Sequence, residues 1–474
     1  MKISKTFDLD DQNWFAEISG DYNPIHINEI ESRKLHSGGI LVHGIHTVTW
    51  ALDCFFKKNP QNKLDTLKTK FFKPIYLNQK LSIVFENINN KKHNIKIYDK
   101  ELLVSIILES SGLSFGNKVV DSKYHFDFPK EFKYNDDTNE ISISLSKKMI
   151  LNKYPFFCKA VGLEIVSNII GLSRLVGMEC PGLNSLFVGF NINFHHKNAV
   201  KTNKIFWSIN KYYGNQAPIN IFVKSSIMEG IVQAFIRPSP IIQLPFLEIS
   251  KFTKNIINLN NTFSIIIGGS RGLGEVTSKI IASYGGNVII TYNTGKNEAI
   301  KICNDINTNS SSDFAVPLHL NIENPKNLFD YVNKNKIQIN SIYYFATPNI
   351  KGTKSIELDK NLLDLYNSFY SIYFSRLLRL LKKYVFNNEI KIFYPSTIFI
   401  DQGKENLMEY VLSKKNAEAY IESINYKLNN INIIVDRLDM LNTDQNNSVF
   451  SVKTKDPLIV MNDVVLRMNK ELFY

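Results

Sequence analysis

The alternation of apolar and polar positions divides the 474-residue chain into three textures. Up to about residue 127, a polar, turn-rich opening gives way to an apolar stretch of helical character, Ile40 to Phe56. Strand-like segments follow at Leu67–Phe72, Leu81–Phe85, Asn94–Tyr98 and Leu102–Glu109. One helix followed by a run of antiparallel strands predicts an α+β layer fold. Residues 128 to about 247 repeat this order, with a helix predicted around Val161–Val176 and strands at Leu186–Asn193, Lys204–Ile209, Ile219–Lys224 and Ile231–Arg237. Prolines 238, 240 and 245 end this second unit, because proline removes a ladder donor. A Lys/Asn-rich linker is expected over residues 248–261. From Phe263 onward, β-branched runs alternate with turns and helical stretches to about residue 440, which predicts parallel βαβ units. Residues 446–474 read as an appended strand and helix.

Composition narrows the class. An apolar share of 44% with 12% aromatics supplies several buried cores and argues against disorder. The opening MKISKTFDLDDQNWF lacks the layout of a signal peptide, and no stretch approaches about 18 uninterrupted apolar residues, so neither export nor a membrane span is expected. Cys54, Cys158, Cys180 and Cys303 include no CxxC pair and fit reduced thiols in a cytoplasmic protein. The formal charge of +12 suits an anionic partner, yet the chain is rich in Lys, Asn and Ile together, a compositional bias. No basic run with interleaved aromatics marks a nucleic-acid site.

A glycine-rich turn carries the first chemistry. In Phe263-Ser-Ile-Ile-Ile-Gly-Gly-Ser-Arg-Gly-Leu-Gly-Glu275, a buried strand runs into Gly268, Gly272 and Gly274, and a helix starts near Leu273. Glycine permits positive φ and close approach of a diphosphate, while the helix start offers N–H donors and a favourable dipole. Tyr410-Val-Leu-Ser-Lys414 places a phenol and an ammonium on one helix face, where the ammonium lowers the phenol's pKa for proton donation to a carbonyl.

The GxxxGxG spacing with a distant YxxxK resembles the short-chain dehydrogenase/reductase family. The resemblance implies Ser396, fourteen residues before Tyr410, as carbonyl-positioning serine, and Ser270, Arg271, Gly272 and Leu273 in the cofactor turn. It further implies Asn321 and Ile322 at the adenine, Thr443 near the nicotinamide amide, and Lys414 on the cofactor as well as in catalysis. The chain departs from the family at Leu438-Asp439, in place of Pro-Gly, and at Tyr344-Phe345-Ala346-Thr347, in place of Asn-Asn-Ala-Gly. The family's helix asparagine has no secure match; Asn367 is near but misplaced. No acid follows the strand Asn287–Tyr292, whereas Arg271 and Lys296 suit a 2′-phosphate, which favours NADP(H) over NAD(H).

A second constellation stands near the N-terminus, in Phe15-Ala-Glu-Ile-Ser-Gly-Asp-Tyr-Asn-Pro-Ile-His26. Asn23-Pro24 makes a rigid turn that aims Asp21 and His26 at one water, with His26 as general base and Asp21 orienting it. The spacing, with Ile40-Leu-Val-His-Gly-Ile-His46 downstream and Phe71-Phe-Lys-Pro-Ile75 after that, resembles the MaoC-like (R)-specific enoyl-CoA hydratases. That resemblance implies a hot-dog fold, a Gly44 N–H that polarises the thioester carbonyl, and Asn23 and His43 at the substrate. The second unit has no counterpart of the Asp21/His26 motif and reads as a degenerate hot dog. His195 and His196 are read as structural, and the cysteines as core thiols. No metal site is expected.

Together these resemblances imply a multi-domain chain: an α+β double hot dog over residues 1–127 and 128–247, and an α/β Rossmann domain with a doubly wound parallel sheet over 260–474. The implied function is a bifunctional 3-oxoacyl reductase and (R)-3-hydroxyacyl dehydratase or enoyl hydratase, working on coenzyme A or acyl-carrier-protein thioesters, in a homodimer without membrane or nucleic-acid partners. Three alternatives stay open: one active domain beside a binding domain, a non-catalytic scaffold or sensor, and a reductase for a non-thioester carbonyl.

Overall fold

The computed structural model describes residues 3–34, 38–60, 64–110, 123–135, 137–143, 145–195, 203–214, 217–254, 256–310, 315–352, 356–384, 389–447 and 452–470. The described residues form two compact units, one up to Ser239 and the other from Pro240 onward.

The first unit is built on ten strands: β1 (Ile3–Thr6), β2 (Thr66–Phe71), β3 (Lys80–Asn87), β4 (Lys92–Tyr98), β5 (Leu102–Glu109), β6 (Asn139–Ser142), β7 (Ser185–Phe194), β8 (Lys204–Lys211), β9 (Ile219–Lys224) and β10 (Met228–Ile236). They form one sheet in the order β1-β3-β4-β5-β2-β7-β10-β9-β8-β6. The order is the same five-strand pattern written twice, outward from the antiparallel β2–β7 seam, where Thr66 faces Asn193 and Lys70 faces Gly189. Each half wraps one long apolar helix, Gly44–Lys58 between β1 and β2 and Leu163–Arg174 between β6 and β7. This is a double hot dog, as the repeated pattern predicts. Val48, Leu52, Ile165 and Ile169 on the helices bury against Ile95, Ile106, Ile192 and Ile221 on the strands. Each such side chain contributes about 1.5–3 kcal/mol of burial free energy.

Two features differ from the sequence reading. The polar opening contains β1 and a helix, Leu9–Ser19, whose buried Gln12, Phe15, Ala16 and Ser19 give it an inward face. The helix expected over Val161–Val176 is broken at Gly162, at φ 87°, into Pro155–Val161 and Leu163–Arg174, and then widens into a π-turn at Leu175–Glu179. His196 lies outside the described residues; the His195 N–H donates to Ile227 O at 2.9 Å. No single helix among the described residues is long and apolar enough to cross a membrane.

The second unit contains six parallel strands, β11 (Phe263–Ile267), β12 (Asn287–Tyr292), β13 (Ala315–His319), β14 (Ser341–Tyr344), β15 (Ile390–Thr397) and β16 (Ile431–Leu438). Their order, β13-β12-β11-β14-β15-β16, reverses direction between β11 and β14. This is the doubly wound Rossmann arrangement, whose ligand crevice lies at the carboxyl ends of the strands at the reversal. Helix Gly272–Ser283 connects β11 to β12. The expected linker is half helical: Phe246, Ile249 and Thr253 bury one face of helix Phe246–Thr253. The helix predicted near the C-terminus is Pro457–Met468. In place of the appended strand, the described residues hold a single parallel bridge, Leu441 to Lys455.

Candidate functional site

The Asp21 loop begins where helix Leu9–Ser19 stops at Gly20, whose φ of 69° turns the chain and whose N–H returns to Ala16 O. Asn23 caps the following turn by accepting from Ile25 N, with Pro24 fixing its first position. His26 sits in that turn. Its Nδ1 lies 2.8 Å from Leu41 O, so Nδ1 carries the proton and Nε2 presents a lone pair. Burial pushes the imidazole pKa below 6.5, against the opposing charge of Asp21. The ring is therefore neutral at neutral pH, as a general base requires.

Asp21 is buried at 2% exposure. Its Oδ2 accepts 2.7 Å from Ser173 Oγ and its Oδ1 accepts 3.3 Å from Asn23 N. Burial raises its pKa; His26 and these two donors pull it back. Gly177, in the π-turn, lets the second repeat close on this carboxylate, because a Cβ there would lie 2.0 Å from Asp21 Oδ1. Ser173 and Gly177 carry no local signature and were missed in the sequence: only the packing of the two repeats brings them to Asp21. Arg237 was missed for the same reason, and Gln12, on the helix before the loop, because only the fold of the first repeat brings it to His43.

Two residues expected at the substrate serve the loop instead. Asn23 Nδ2 donates to Gly177 O at 2.9 Å and Gly182 O at 3.0 Å, which commits it to the second repeat. His43 is fully buried; its Nδ1 meets Gln12 Oε1 at 2.9 Å and its Nε2 meets Asp21 O at 3.0 Å. Its ring stacks on His26 with centroids 3.9 Å apart. His43 thus positions Asp21 and His26 from behind. Asp21, His26 and His43 place ligand atoms within 4.8 Å of one another, but both His43 nitrogens are engaged, leaving one imidazole and one carboxylate for any cation. Gly44 opens helix Gly44–Lys58, so its N–H has no intrahelical acceptor, and the Phe71 ring packs across its Cα.

In the second unit, β11 runs into the glycine turn as expected. Gly268 adopts φ 80°, and its N–H meets Thr291 Oγ1 at 3.2 Å, while Gly269 N donates to Thr291 O. Gly274 lies so close beneath the turn that a Cβ would sit 2.4 Å from Gly268 O. Above the turn there is room: a Cβ on Gly272, φ 55°, would meet only Thr443, at 3.8 Å. Ser270 is buried and Arg271 and Leu273 are partly exposed around this cradle. The open cradle and the helix start fit a dinucleotide diphosphate. Ile322 is buried beyond β13, while exposed Asn321 folds back to accept from Glu323 N.

Ser396, the residue expected to position the carbonyl, and its neighbour Thr397 end β15 on opposite faces of the strand. Strand residues alternate in direction, and the Ser396 Oγ is buried without a hydrogen-bond partner. Thr397 is the side chain whose hydroxyl lies beside the Tyr410 phenol and lowers its pKa against the effect of burial. Lys414 Nζ donates to Pro395 O at 2.6 Å and lies 4.0 Å over the Tyr370 ring. Burial lowers its pKa to about 7. The expected depression of the phenol by this ammonium is not found: burial pushes Tyr410 up to about 12. Asn367 ends helix Lys360–Asn367, next to a π-turn at Ser368–Ile372. Tyr370 in that turn bonds Thr347 through its hydroxyl at 2.6 Å. Tyr344 and Tyr394 donate to the carbonyls of Phe369 and Tyr370. Burial raises the thiols of Cys158, Cys180 and Cys303 to about 12 and of Cys54 to about 11, so none is an activated nucleophile.

Residues 2–108 match the family described as MaoC like domain. No curated protein matches the sequence. Solved structures similar to part of the chain include an alcohol dehydrogenase from the archaeon Thermococcus sibiricus, complexed with 5-hydroxy-NADP, at 14% identity over 44% of this chain and 90% of that one, TM-score 0.40. A short chain dehydrogenase from Burkholderia cenocepacia, in complex with NADP, aligns at 16% identity over 44% and 91%, TM-score 0.40. A putative short chain dehydrogenase from Escherichia coli, complexed with NADPH, aligns at 16% identity over 45% and 93%, TM-score 0.41.

Proposed function

We propose that this chain, whose residues 2–108 form a MaoC-like domain, is a bifunctional enzyme of acyl thioesters: a hydratase/dehydratase site around Asp21 and His26, and a reductase site around Tyr410. The observation that carries the reading is the His26 ring, locked by Leu41 O so that Nε2 is an unprotonated base beside a buried carboxylate.

In the hydration direction, His26 Nε2 takes a proton from water as its oxygen attacks C3 of a 2-enoyl thioester, and the imidazolium then gives a proton to C2 of the resulting enolate. Asp21 orients that water and the Gly44 N–H polarises the thioester carbonyl. Microscopic reversal removes water from a 3-hydroxyacyl thioester. In the reductase site, the Gly268–Gly274 cradle holds a dinucleotide diphosphate and Arg271 pairs with a 2′-phosphate, which favours NADP(H). Bound NADPH supplies hydride. Thr397 holds the substrate carbonyl, the Tyr410 hydroxyl donates the proton, and Lys414 reaches the cofactor.

The two sites meet at one compound: reduction of a 3-oxoacyl thioester gives the 3-hydroxyacyl thioester that dehydration consumes. Tethering raises the local concentration of this intermediate. The carrier is coenzyme A or an acyl carrier protein. Purified protein is tested with crotonyl-CoA, and separately with acetoacetyl-CoA plus NADPH; the reading requires turnover in both. His26→Ala abolishes the first reaction and Tyr410→Phe the second, each leaving the other intact.

A further inference from the structure

The end of β10 carries a cation that neither proposed reaction uses. Arg237 follows Ile236, the register partner of Ser185, and its side chain turns back toward β7. Nε donates to Ser185 O at 3.0 Å and Nη2 to Leu183 O at 3.4 Å. Leu183 O also accepts from Asn23 Nδ2 at 3.3 Å, so one carbonyl joins the guanidinium to the turn that carries Asp21 and His26. The remaining nitrogen, Nη1, is buried and has no hydrogen-bond partner. Among the described residues no carboxylate pairs with Arg237.

The electrostatics agree with this placement. Burial brings the guanidinium pKa down to about 10, and its charge opposes protonation of His26. Buried charges are ordinarily paired, and a buried arginine presents a planar fork that matches a carboxylate. The guanidinium is held by two backbone carbonyls, one of them shared with the Asn23 turn, and its buried Nη1 keeps its donors for an anion.

We propose that Arg237 Nη1 receives an anionic oxygen of the acyl thioester bound at His26, first of all a carboxylate carried on the acyl chain. The inference rests on the hydratase reading and deepens it: the substrates become dicarboxylic 2-enoyl or 3-hydroxyacyl thioesters. The same chemistry has a second source, the thioester oxygen that gains charge during hydration. Carrier phosphates are set apart from the thioester by the pantetheine arm.

Calorimetry with two unreactive analogues, glutaryl-CoA and butyryl-CoA, separates these sources without relying on turnover, and hydration of glutaconyl-CoA and crotonyl-CoA is measured beside it. With a carboxylate seat, wild type binds glutaryl-CoA at least about tenfold more tightly, Arg237→Gln reduces that preference to within about twofold, and Arg237→Lys keeps part of it. Equal loss of kcat on both enoyl substrates in Arg237→Gln, without change in analogue affinity, assigns the anion to the thioester oxygen. The proposal is overturned if folded Arg237→Gln matches wild type in both assays. Should Arg237→Gln not fold, a wild type without preference for glutaryl-CoA, together with Arg237→Lys at wild-type kcat, overturns it equally. Absence of hydration of both crotonyl-CoA and glutaconyl-CoA in wild type would instead strike the hydratase reading.

Discussion

Ser173 Oγ donates a 2.7 Å hydrogen bond to Asp21 Oδ2 across 152 positions of chain, from the helix of one hot-dog repeat to the loop of the other. The repeat without a catalytic motif therefore helps hold the carboxylate of the repeat that has one. Ser173→Ala removes the donor from a buried carboxylate, at a cost of about 1–3 kcal/mol. Because this bond holds the Asp21 pKa down, its loss raises the pKa further. The acid limb of the hydration rate then moves to higher pH, which a pH–rate profile on crotonyl-CoA measures.

Gly177→Ala should be more severe. The new Cβ has no room beside Asp21 Oδ1, so the carboxylate must leave its place. Hydration should fall by at least about a hundredfold, while NADPH-dependent reduction, carried by the other compact unit, continues. Parallel assays on one preparation check this.

His46 predicts acid sensitivity. It is fully buried, stacked on Phe15 with centroids 4.7 Å apart, and neither ring nitrogen has a hydrogen-bond partner. Burial holds its pKa well below 6.5. The unfolded chain takes up a proton near 6.5 and the folded chain does not, so this contribution to stability is present above 6.5 and lost as pH falls below it. Each unit of depression is worth about 1.4 kcal/mol. Thermal melts from neutral to acidic pH should show a smaller loss of Tm for His46→Phe than for wild type.

The reductase makes a one-residue prediction. Thr397→Val should slow acetoacetyl-CoA reduction by about 10- to 100-fold by removing the hydroxyl beside Tyr410, whereas Ser396→Ala should change kcat by less than about threefold. Steady-state kinetics on the two variants decide between the positions.

Gly274→Val should prevent cofactor binding. A side chain there drives into Gly268 O and the Gly269 Cα and collapses the cradle. Titration of NADPH fluorescence should give no saturable signal in the variant, with crotonyl-CoA hydration retained.

Much of this was legible in the sequence because it is local. The Asp21–His26 turn, the glycine turn and the repeated helix-then-strands order are each specified within a short window, and each occupies its predicted place. What escaped depends on tertiary approach or on parity. Ser173, Gly177 and Arg237 reach the Asp21 loop only because two repeats share a sheet through β2 and β7. Asn23 and His43 sit in the motif as expected, but their polar atoms turn inward to Gly177, Gly182, Gln12 and Asp21. Ser396 and Thr397 differ by one step along a strand, and one step exchanges faces.

The central claim is that one polypeptide carries two chemistries joined at a 3-hydroxyacyl thioester. Chiral analysis of the product from wild-type protein supplied with acetoacetyl-CoA and NADPH, and separately with crotonyl-CoA and water, tests it most directly. The account predicts (R)-3-hydroxybutyryl-CoA from both reactions. Product from one substrate only, or opposite configurations from the two, would contradict it.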